Sequence, residues 1–296
     1  MSLRDIGDRL TLELFDFGRE STRGERLFAR LYEGLIAIWV LWHCFTWAAY
    51  IPRIDTVVLP LGIANYIDVS AFYNAPAAYG IAAGVAVLVG LGYTRRWRWA
   101  YAGAMLGFHV LYATRYSLGE ISHGSNFVGT ALLAFALATV LFDESEHAIW
   151  RFALGFSLFF YGLGYTTAGF CKLIGTGLDW PAASHFALWV GERTIDVTSR
   201  DGVFVPTILQ RVGLEYPWFG SLSLGFGLIA ELAGVLVWFR RYRMPVLLAL
   251  MGMHIGIDLT LDIMFLYNIM ILGLLAVPFP ALFDRLLFSR AAVDGR

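Results

Sequence analysis

The stretch Ala75–Gly92 reads APAAYGIAAGVAVLVGLG, carries no charged residue, and is followed within a few residues by Arg95, Arg96 and Arg98. A helix of about 20 apolar residues spans the hydrocarbon core of a bilayer, so this stretch predicts a transmembrane helix. Other uncharged runs of about 16 to 24 residues recur along a chain that is 58% hydrophobic and only 15% charged. This composition excludes a soluble globular enzyme and a disordered chain. It also excludes a transmembrane β-barrel, whose short segments alternate apolar and polar residues.

Eight such runs predict an all-α fold, a polytopic membrane helix bundle of about eight transmembrane helices. The predicted spans cover residues 31–50, 75–92, 99–116, 127–142, 150–171, 221–239, 244–261 and 264–282. The predicted domains are an amphipathic N-terminal arm over 1–25, a membrane domain over 26–285 and a short tail over 286–296. Within the membrane domain, residues 173–220 carry several charges and predict an extracytoplasmic segment.

The arginines predict the orientation of the spans, because cytoplasmic loops are enriched in positive charge. With a cytoplasmic N-terminus, the short outside loops hold only Arg53 and Arg115. The chain is therefore expected to be a multi-pass protein of the plasma membrane with both termini in the cytoplasm. Its expected partner is the lipid bilayer. A net charge of −1 offers no basic face, so no nucleic-acid partner is expected. The two cysteines lie in apolar runs, without the spacing of a metal site or a disulfide framework.

Lys172 is the only lysine among the 22 basic residues, and it lies at the end of the fifth predicted span. A lysine at a helix end often extends its ammonium group toward the interface while its stem stays in the apolar region. A lysine that is partly removed from water gives up its proton more readily and can act as a general base. Both interpretations of Lys172 stay open at this point.

Ionisable groups inside a span are costly and usually face a cavity or a partner. His254 and Asp258 lie four residues apart in the seventh predicted span, so a helix places both on one face, and Asp262 continues that face. Glu231 lies midway along the sixth predicted span. These side chains either line a functional pocket or form a buried structural hydrogen-bond network.

Further polar residues lie between the third and fourth predicted spans, on the same outer side as Lys172. They are His109, Arg115, Glu120, His123 and Asn126. A pocket among the helices would use them to bind a substrate. The structural alternative is an ordinary polar loop with a helix cap.

The run Ala168–Leu173 (AGFCKL), followed by Asp179 and Trp180, resembles the HTTM membrane domain that is shared with the vitamin K-dependent gamma-glutamyl carboxylases. The resemblance covers about residues 25–285 and includes three weaker matches in the family's order. These matches are His123–Asn126 ahead of residues 132–135, Glu231 ahead of Arg240 and Arg241, and Met253 with His254 ahead of residues 263–267. Cys171 stands where the carboxylases have a second lysine, and their large lumenal domain has no counterpart after the last predicted span.

The resemblance implies that Lys172 is the base that deprotonates reduced vitamin K or menaquinol, a lipophilic quinone cofactor that then reacts with oxygen. In the carboxylases the activated quinone removes a proton from a glutamate side chain, so a peptide or protein substrate is a further implied partner. His123 and His254 are the other catalytic candidates, which would orient the substrate or transfer protons. The candidate substrate-binding residues are Arg115, Asn126, Trp180, Glu231 and Asp258.

Three functions are consistent with the sequence. The first is a membrane enzyme that acts on a lipophilic quinone, with Lys172, His254 and Asp258 close together in one pocket. The second is a non-catalytic partner-binding, immunity or peptide-maturation factor, in which Lys172 points unpaired to the lipid headgroups. The third is a proton-coupled transporter, in which His254, Asp258 and Asp262 form part of a polar path across the membrane.

Overall fold

A computed structural model describes residues 3–117, 124–142 and 145–288 of the 296-residue chain. Helices account for the regular structure in these ranges, which contain no strand, so the prediction of an all-α fold is confirmed. The α-helices are α1 Leu3–Leu14, α2 Arg23–Tyr50, α3 Ala75–Tyr93, α4 Ala100–Arg115, α5 Asn126–Leu141, α6 Glu146–Thr176, α7 Ala183–Asp201, α8 Ile208–Glu215, α9 Pro217–Leu232, α10 Arg240–Leu261, α11 Leu266–Ala276 and α12 Phe279–Phe283.

Several of these helices are compatible with an integral membrane protein. In the described part of the chain, four segments are long and apolar enough to cross a membrane: Arg23–Arg53, Ala75–Tyr93, Pro217–Trp238 and Arg240–Leu261. A fifth span results if Leu266–Ala276 and Phe279–Phe288 together cross as one broken segment.

The other predicted spans also lie on helices, but these helices differ in length and polarity from the four clear spans. α4 and α5 are 16 residues long. α6 is 31 residues long, and its tyrosines, threonines and glycines make it less apolar. The predicted eighth span, 264–282, is interrupted after Ala276, because Pro278 and Pro280 lack the N–H groups that would continue the helix.

The chain divides into two compact units, and the boundary between them falls within the sequence of α6. The first unit comprises Met1–Ser157 with Pro278–Arg296, and the second comprises Leu158–Val277.

The first unit is organised around the buried carboxylate of Glu33 in α2, which is only 1% exposed. Two nitrogens of Arg95 donate to it at 2.5 and 2.8 Å, and the Tyr101 hydroxyl donates at 2.6 Å. The indole N–H of Trp150 donates at 3.2 Å. A buried charge is tolerated when it is paired and hydrogen-bonded, so this carboxylate ties α2 to the end of α3, to α4 and to the start of α6.

The N-terminal arm packs on the same unit. The Phe15 ring stacks on Phe152 with centroids 5.6 Å apart, and Phe17 contacts Phe142 at 5.3 Å. Gly155 permits this contact, because a Cβ there would lie 2.5 Å from the Phe15 ring. Residues 15–17 are therefore held by aromatic packing on α6 and the end of α5.

The predicted extracytoplasmic segment folds into α7 and α8 within the second unit. Its anchor is Phe186, which is 1% exposed and packs with Val190 and Leu261. Gly213 and Gly220 leave room for the ring, since a Cβ at these positions would lie 2.2 and 3.0 Å from Phe186. The segment is thus packed against the end of α10.

Replacement of Glu33 with alanine is expected to lower the free energy of unfolding by about 3 kcal/mol, because it leaves the Arg95 charge half-buried without its partner. Tyr101→Phe removes a single hydrogen bond and is expected to cost about 1 kcal/mol. The shift in the unfolding midpoint in detergent micelles measures both effects, with exposed Glu20→Ala as the control. Equal midpoints for Glu33→Ala and Glu20→Ala would contradict this role of Glu33.

Candidate functional site

The centre of the candidate site is an ion pair between Lys172 of α6 and Glu231 of α9. The Lys172 Nζ atom lies 2.5 Å from both carboxylate oxygens of Glu231. The lysine side chain is 28% exposed and the glutamate side chain 8%. Charge-assisted hydrogen bonds of this kind are stronger than neutral ones. The carboxylate of Glu231 is nearly removed from water, whereas the lysine keeps part of its exposure.

A close approach of α6 to the end of α9 brings the two side chains together. A Cβ at Gly162 would lie 2.9 Å from the carbonyl oxygen of Gly234, so only glycine fits there. After Leu232 the chain tightens into a 3-10 helix over Ala233–Trp238. The Thr166 hydroxyl accepts a hydrogen bond from the Val235 N–H at 2.7 Å. The helix end is thereby fixed next to α6, one turn beyond Glu231.

Trp180 covers the lysine. Its ring centroid lies 5.1 Å from the Lys172 Nζ atom, within the range of a cation–π contact. The chain turns back after α6 at Gly177, whose φ of 64° suits glycine. His185 then hydrogen-bonds to the Trp180 carbonyl at 3.0 Å and stacks on its ring. The indole is therefore held in place over the ammonium group.

A second polar pair lies in the same unit, between Tyr165 of α6 and His254 of α10. The tyrosine oxygen lies 2.6 Å from His254 Nε2, and both side chains are buried. Tyr165 precedes Lys172 by seven residues, which is close to two helical turns, so the two side chains share a face of α6. The Asn268 side chain lies close enough to interact with the Tyr165 hydroxyl, and the Phe265 ring lies 4.8 Å from the imidazole.

This second pair leaves two buried polar atoms unsatisfied. His254 Nδ1 and Asn268 Oδ1 have no hydrogen-bond partner among the described residues, and each residue is only 5% exposed. If the Asn268 amide donates to Tyr165 and Tyr165 donates to His254 Nε2, the imidazole proton lies on Nδ1. The cluster then offers one donor and one acceptor, which is the complement of a hydroxyl group.

The structure brings together four of the residues predicted from the sequence: Lys172, Glu231, Trp180 and His254 all lie in the second unit. Asp258 is half-buried and forms no side-chain hydrogen bond with the rest of the described chain. The prediction that Asp262 continues the face of His254 is wrong, because α10 ends at Leu261 and Asp262 has a φ of 55°. Its carboxylate instead accepts a hydrogen bond from Arg193 at 2.6 Å.

The remaining candidates belong to the first unit. The guanidinium of Arg115 stacks over the Tyr50 ring at 3.6 Å and is also 4.9 Å from the Tyr116 ring. Asn126 is exposed at the start of α5. His123 and Glu120 lie outside the described residues.

Sequence reasoning missed Tyr165, Asn268 and Phe265 as members of the site. The spacing of seven residues between Tyr165 and Lys172 was the available signal for the tyrosine. Phe265 lies within the run 263–267 that carries part of the resemblance. Asn268 gave no signal of its own, because it reaches the site only through the packing of α11 against α10. No group of three His, Cys, Asp or Glu side chains in the described ranges is placed to hold a metal ion.

Comparisons with protein-family models, with curated proteins and with solved structures gave no match. The function is therefore argued from the geometry of the site and from the resemblance in sequence.

Glu231→Gln is expected to lower the free energy of unfolding by about 2 kcal/mol, because it leaves the ammonium of Lys172 without a counter-charge. The double replacement Lys172→Met with Glu231→Leu is expected to recover most of that loss, since it removes both charges. Denaturant titration in micelles measures each change.

Asp262→Asn is the matched control, because it breaks an ion pair whose carboxylate is 58% exposed. Exposed pairs contribute up to about 1 kcal/mol, so a smaller effect is expected. A double variant that is no more stable than Glu231→Gln would show that the pair does not explain the loss.

Proposed function

We propose that the chain is a multi-pass protein of the plasma membrane with eight spans and with both termini in the cytoplasm. The four clear spans, the possible broken fifth and the helices α4, α5 and α6 at the other predicted positions support this topology. The distribution of arginines among the short loops supports the orientation.

We further propose that the second unit is an enzyme site for acid–base chemistry on a lipophilic quinol, as the sequence resemblance implies. The observation that carries this proposal is the Lys172–Glu231 pair next to the buried Tyr165–His254 pair, whose Nδ1 atom has no described partner. Buried pairs of titratable groups with unused hydrogen-bonding capacity are typical of catalytic sites.

The unsatisfied atoms fit the polar end of such a substrate. The Asn268 Oδ1 atom can accept a hydrogen bond from a phenolic hydroxyl, and the His254 Nδ1–H can donate one to a ring oxygen. A quinol supplies a reducing ring that reacts with oxygen once its hydroxyl proton is removed. Trp180 provides an apolar ring surface at Lys172, and Phe265 provides one at His254.

The residues of the chain would move the proton in two steps. Transfer from Lys172 Nζ to a Glu231 oxygen, over 2.5 Å, leaves a neutral amine and a neutral carboxylic acid. The neutral amine can then accept a proton from a substrate hydroxyl, which leaves the ammonium of Lys172 beside the substrate oxyanion while Glu231 is still protonated. The Lys172–Glu231 ion pair returns when Glu231 releases that proton. Tyr165 fixes the orientation of the His254 ring throughout, because its hydrogen bond occupies Nε2.

A second candidate function is a non-catalytic membrane factor that binds a partner, confers immunity or assists peptide maturation. The pairing of Lys172 with Glu231 differs from the unpaired lysine expected of such a factor, although a purely structural ion pair would have the same geometry. A proton-coupled transporter has less support, because Asp262 pairs with Arg193 at the helix end and does not extend a path from His254.

Oxygen-dependent epoxidation of reduced vitamin K or menaquinol by the protein in lipid bilayers tests the enzyme proposal. Wild type is expected to form the epoxide, and Lys172→Ala to lose at least about 100-fold in rate, as for removal of a general base. Lys172→Arg is the critical variant, because a guanidinium keeps the ion pair but does not lose its proton. It is expected to be as inactive as Lys172→Ala, whereas Asp262→Asn keeps the wild-type rate.

An active Lys172→Arg variant would refute the role of Lys172 as a base. Absence of epoxide from every folded variant, wild type included, would refute the quinol reaction and favour the non-catalytic function.

Reporter fusions test the topology. A fluorescent protein that folds only in the cytoplasm is expected to be bright when fused after Phe288, and a periplasmic phosphatase to be active when fused within α7. The opposite result at either fusion would contradict the proposed orientation.

A further inference from the structure

A cavity of 380 Å³ lies within the first unit, between α4 and the start of α5. Phe108 and Tyr112 of α4 contribute aromatic walls, and Met105 and Leu133 contribute aliphatic ones. His109, Ser125, Asn126 and Thr130 contribute polar groups, and none of the described residues that line the cavity carries a charged side chain. Its volume falls within the usual range for small-molecule sites, which is about 300 to 1,000 Å³.

The hydroxyl of Ser125 is an unused polar group in this lining. Ser125 is only 1% exposed, and its Oγ atom has no hydrogen-bond partner among the described residues. Although Ser125 precedes the first turn of α5, its side chain does not cap the helix. A buried hydroxyl without a partner costs about 1 to 3 kcal/mol, so a ligand that supplies the missing hydrogen bond would bind favourably.

The His109 ring has a fixed orientation. Its Nε2 atom accepts a hydrogen bond from the Ile63 N–H at 3.3 Å, so in the neutral ring the proton lies on Nδ1. Gly62, with a φ of 51°, lies so close that a Cβ there would be 2.4 Å from Nε2. The backbone at Gly62 and Ile63 therefore fixes the orientation of the imidazole, and its Nδ1–H is the donor that remains.

The polar groups of the cavity favour a ligand oxygen that accepts hydrogen bonds. Ser125 O–H and His109 Nδ1–H are donors, and the Asn126 amide can donate as well as accept. The N-terminal end of the 16-residue helix α5 adds a partial positive charge. An anion would also be attracted to a helix N-terminus, but it would lie in an apolar cavity without a counter-charge. The aromatic and aliphatic walls favour a flat apolar ring.

We infer that this cavity binds an uncharged, lipophilic ring compound through a carbonyl oxygen, with Ser125 as the principal donor. This inference concerns the first unit alone and does not rest on the function proposed for the second.

Binding of two matched probes to the full chain in lipid nanodiscs tests the inference. The probe 1-tetralone carries a ring carbonyl, and tetralin is the same bicyclic compound without it. Ligand-detected NMR, referenced to empty nanodiscs, gives both dissociation constants, and a ¹³C-labelled carbonyl reports hydrogen bonding through its chemical shift. Wild type is expected to bind 1-tetralone about tenfold more tightly than tetralin, which is the contribution of one good hydrogen bond.

Two variants identify the site. Ser125→Ala is expected to reduce the preference for 1-tetralone to within about twofold and to leave tetralin binding unchanged. Ser157→Ala is the matched control, because Ser157 is equally buried but its hydroxyl donates to the Ala153 carbonyl at 2.8 Å. Gly129→Leu should abolish binding of both probes, since a Cβ there already lies 3.3 Å from the Phe108 ring and the rest of the side chain would fill the cavity.

Three results would overturn the inference. The first is equal affinity of wild type for the two probes, or no saturable binding of either, and this comparison needs no variant. The second is a Ser125→Ala variant that keeps the full preference for 1-tetralone, or a Gly129→Leu variant that still binds both probes, once thermal unfolding shows that the variant is folded. The third is tighter binding of the anion tetralin-1-carboxylate than of 1-tetralone, which would identify an anion site instead.

Discussion

The cost of removing a charge from water constrains this protein more than any other single factor. Several of its helices are long and apolar enough to cross a membrane, and an ionic group among such helices needs a partner of opposite charge or several hydrogen bonds. Glu33 meets this requirement with donors from Arg95, Tyr101 and Trp150. Lys172 and Glu231 meet it with each other. The helices that carry these side chains are held together by the same contacts.

The cluster around Glu33 and the cluster around Tyr165 and His254 differ in the hydrogen-bonding groups that they leave without a partner. The carboxylate of Glu33 accepts hydrogen bonds from Arg95, Tyr101 and Trp150. Replacement of any of these donors would lower the free energy of unfolding. The cluster around Tyr165 and His254 retains an imidazole N–H and an amide oxygen without described partners. The Glu33 carboxylate itself is fully hydrogen-bonded, although the Nε atom of Arg95 beside it has no partner among the described residues. The Tyr165–His254 cluster leaves both a donor and an acceptor unused, and such a cluster has the capacity to bind a further group. This contrast is why the chemistry is assigned to the second unit and a structural role to Glu33.

The sequence was sufficient for the helical class, because uncharged runs such as Ala75–Gly92 have one stable form in lipid. It was also sufficient to single out Lys172, Glu231 and His254 as polar groups in apolar surroundings. It could not pair them, since Lys172 and Glu231 are 59 residues apart and meet only through the close contact of Gly162 with Gly234. Helical periodicity also failed at Asp262, because the helix ends one residue earlier and the side chain turns toward Arg193.

The short distance in the Lys172–Glu231 pair has a consequence for the energetics of a membrane under voltage. Moving one charge across the full hydrocarbon core, about 30 Å, involves about 2.3 kcal/mol per 100 mV of membrane potential. The donor nitrogen and the acceptor oxygen are 2.5 Å apart. A proton transferred between them therefore crosses less than a tenth of that thickness, and the potential changes its energy by at most about 0.2 kcal/mol per 100 mV. Proton exchange inside the pair is therefore nearly independent of any membrane potential.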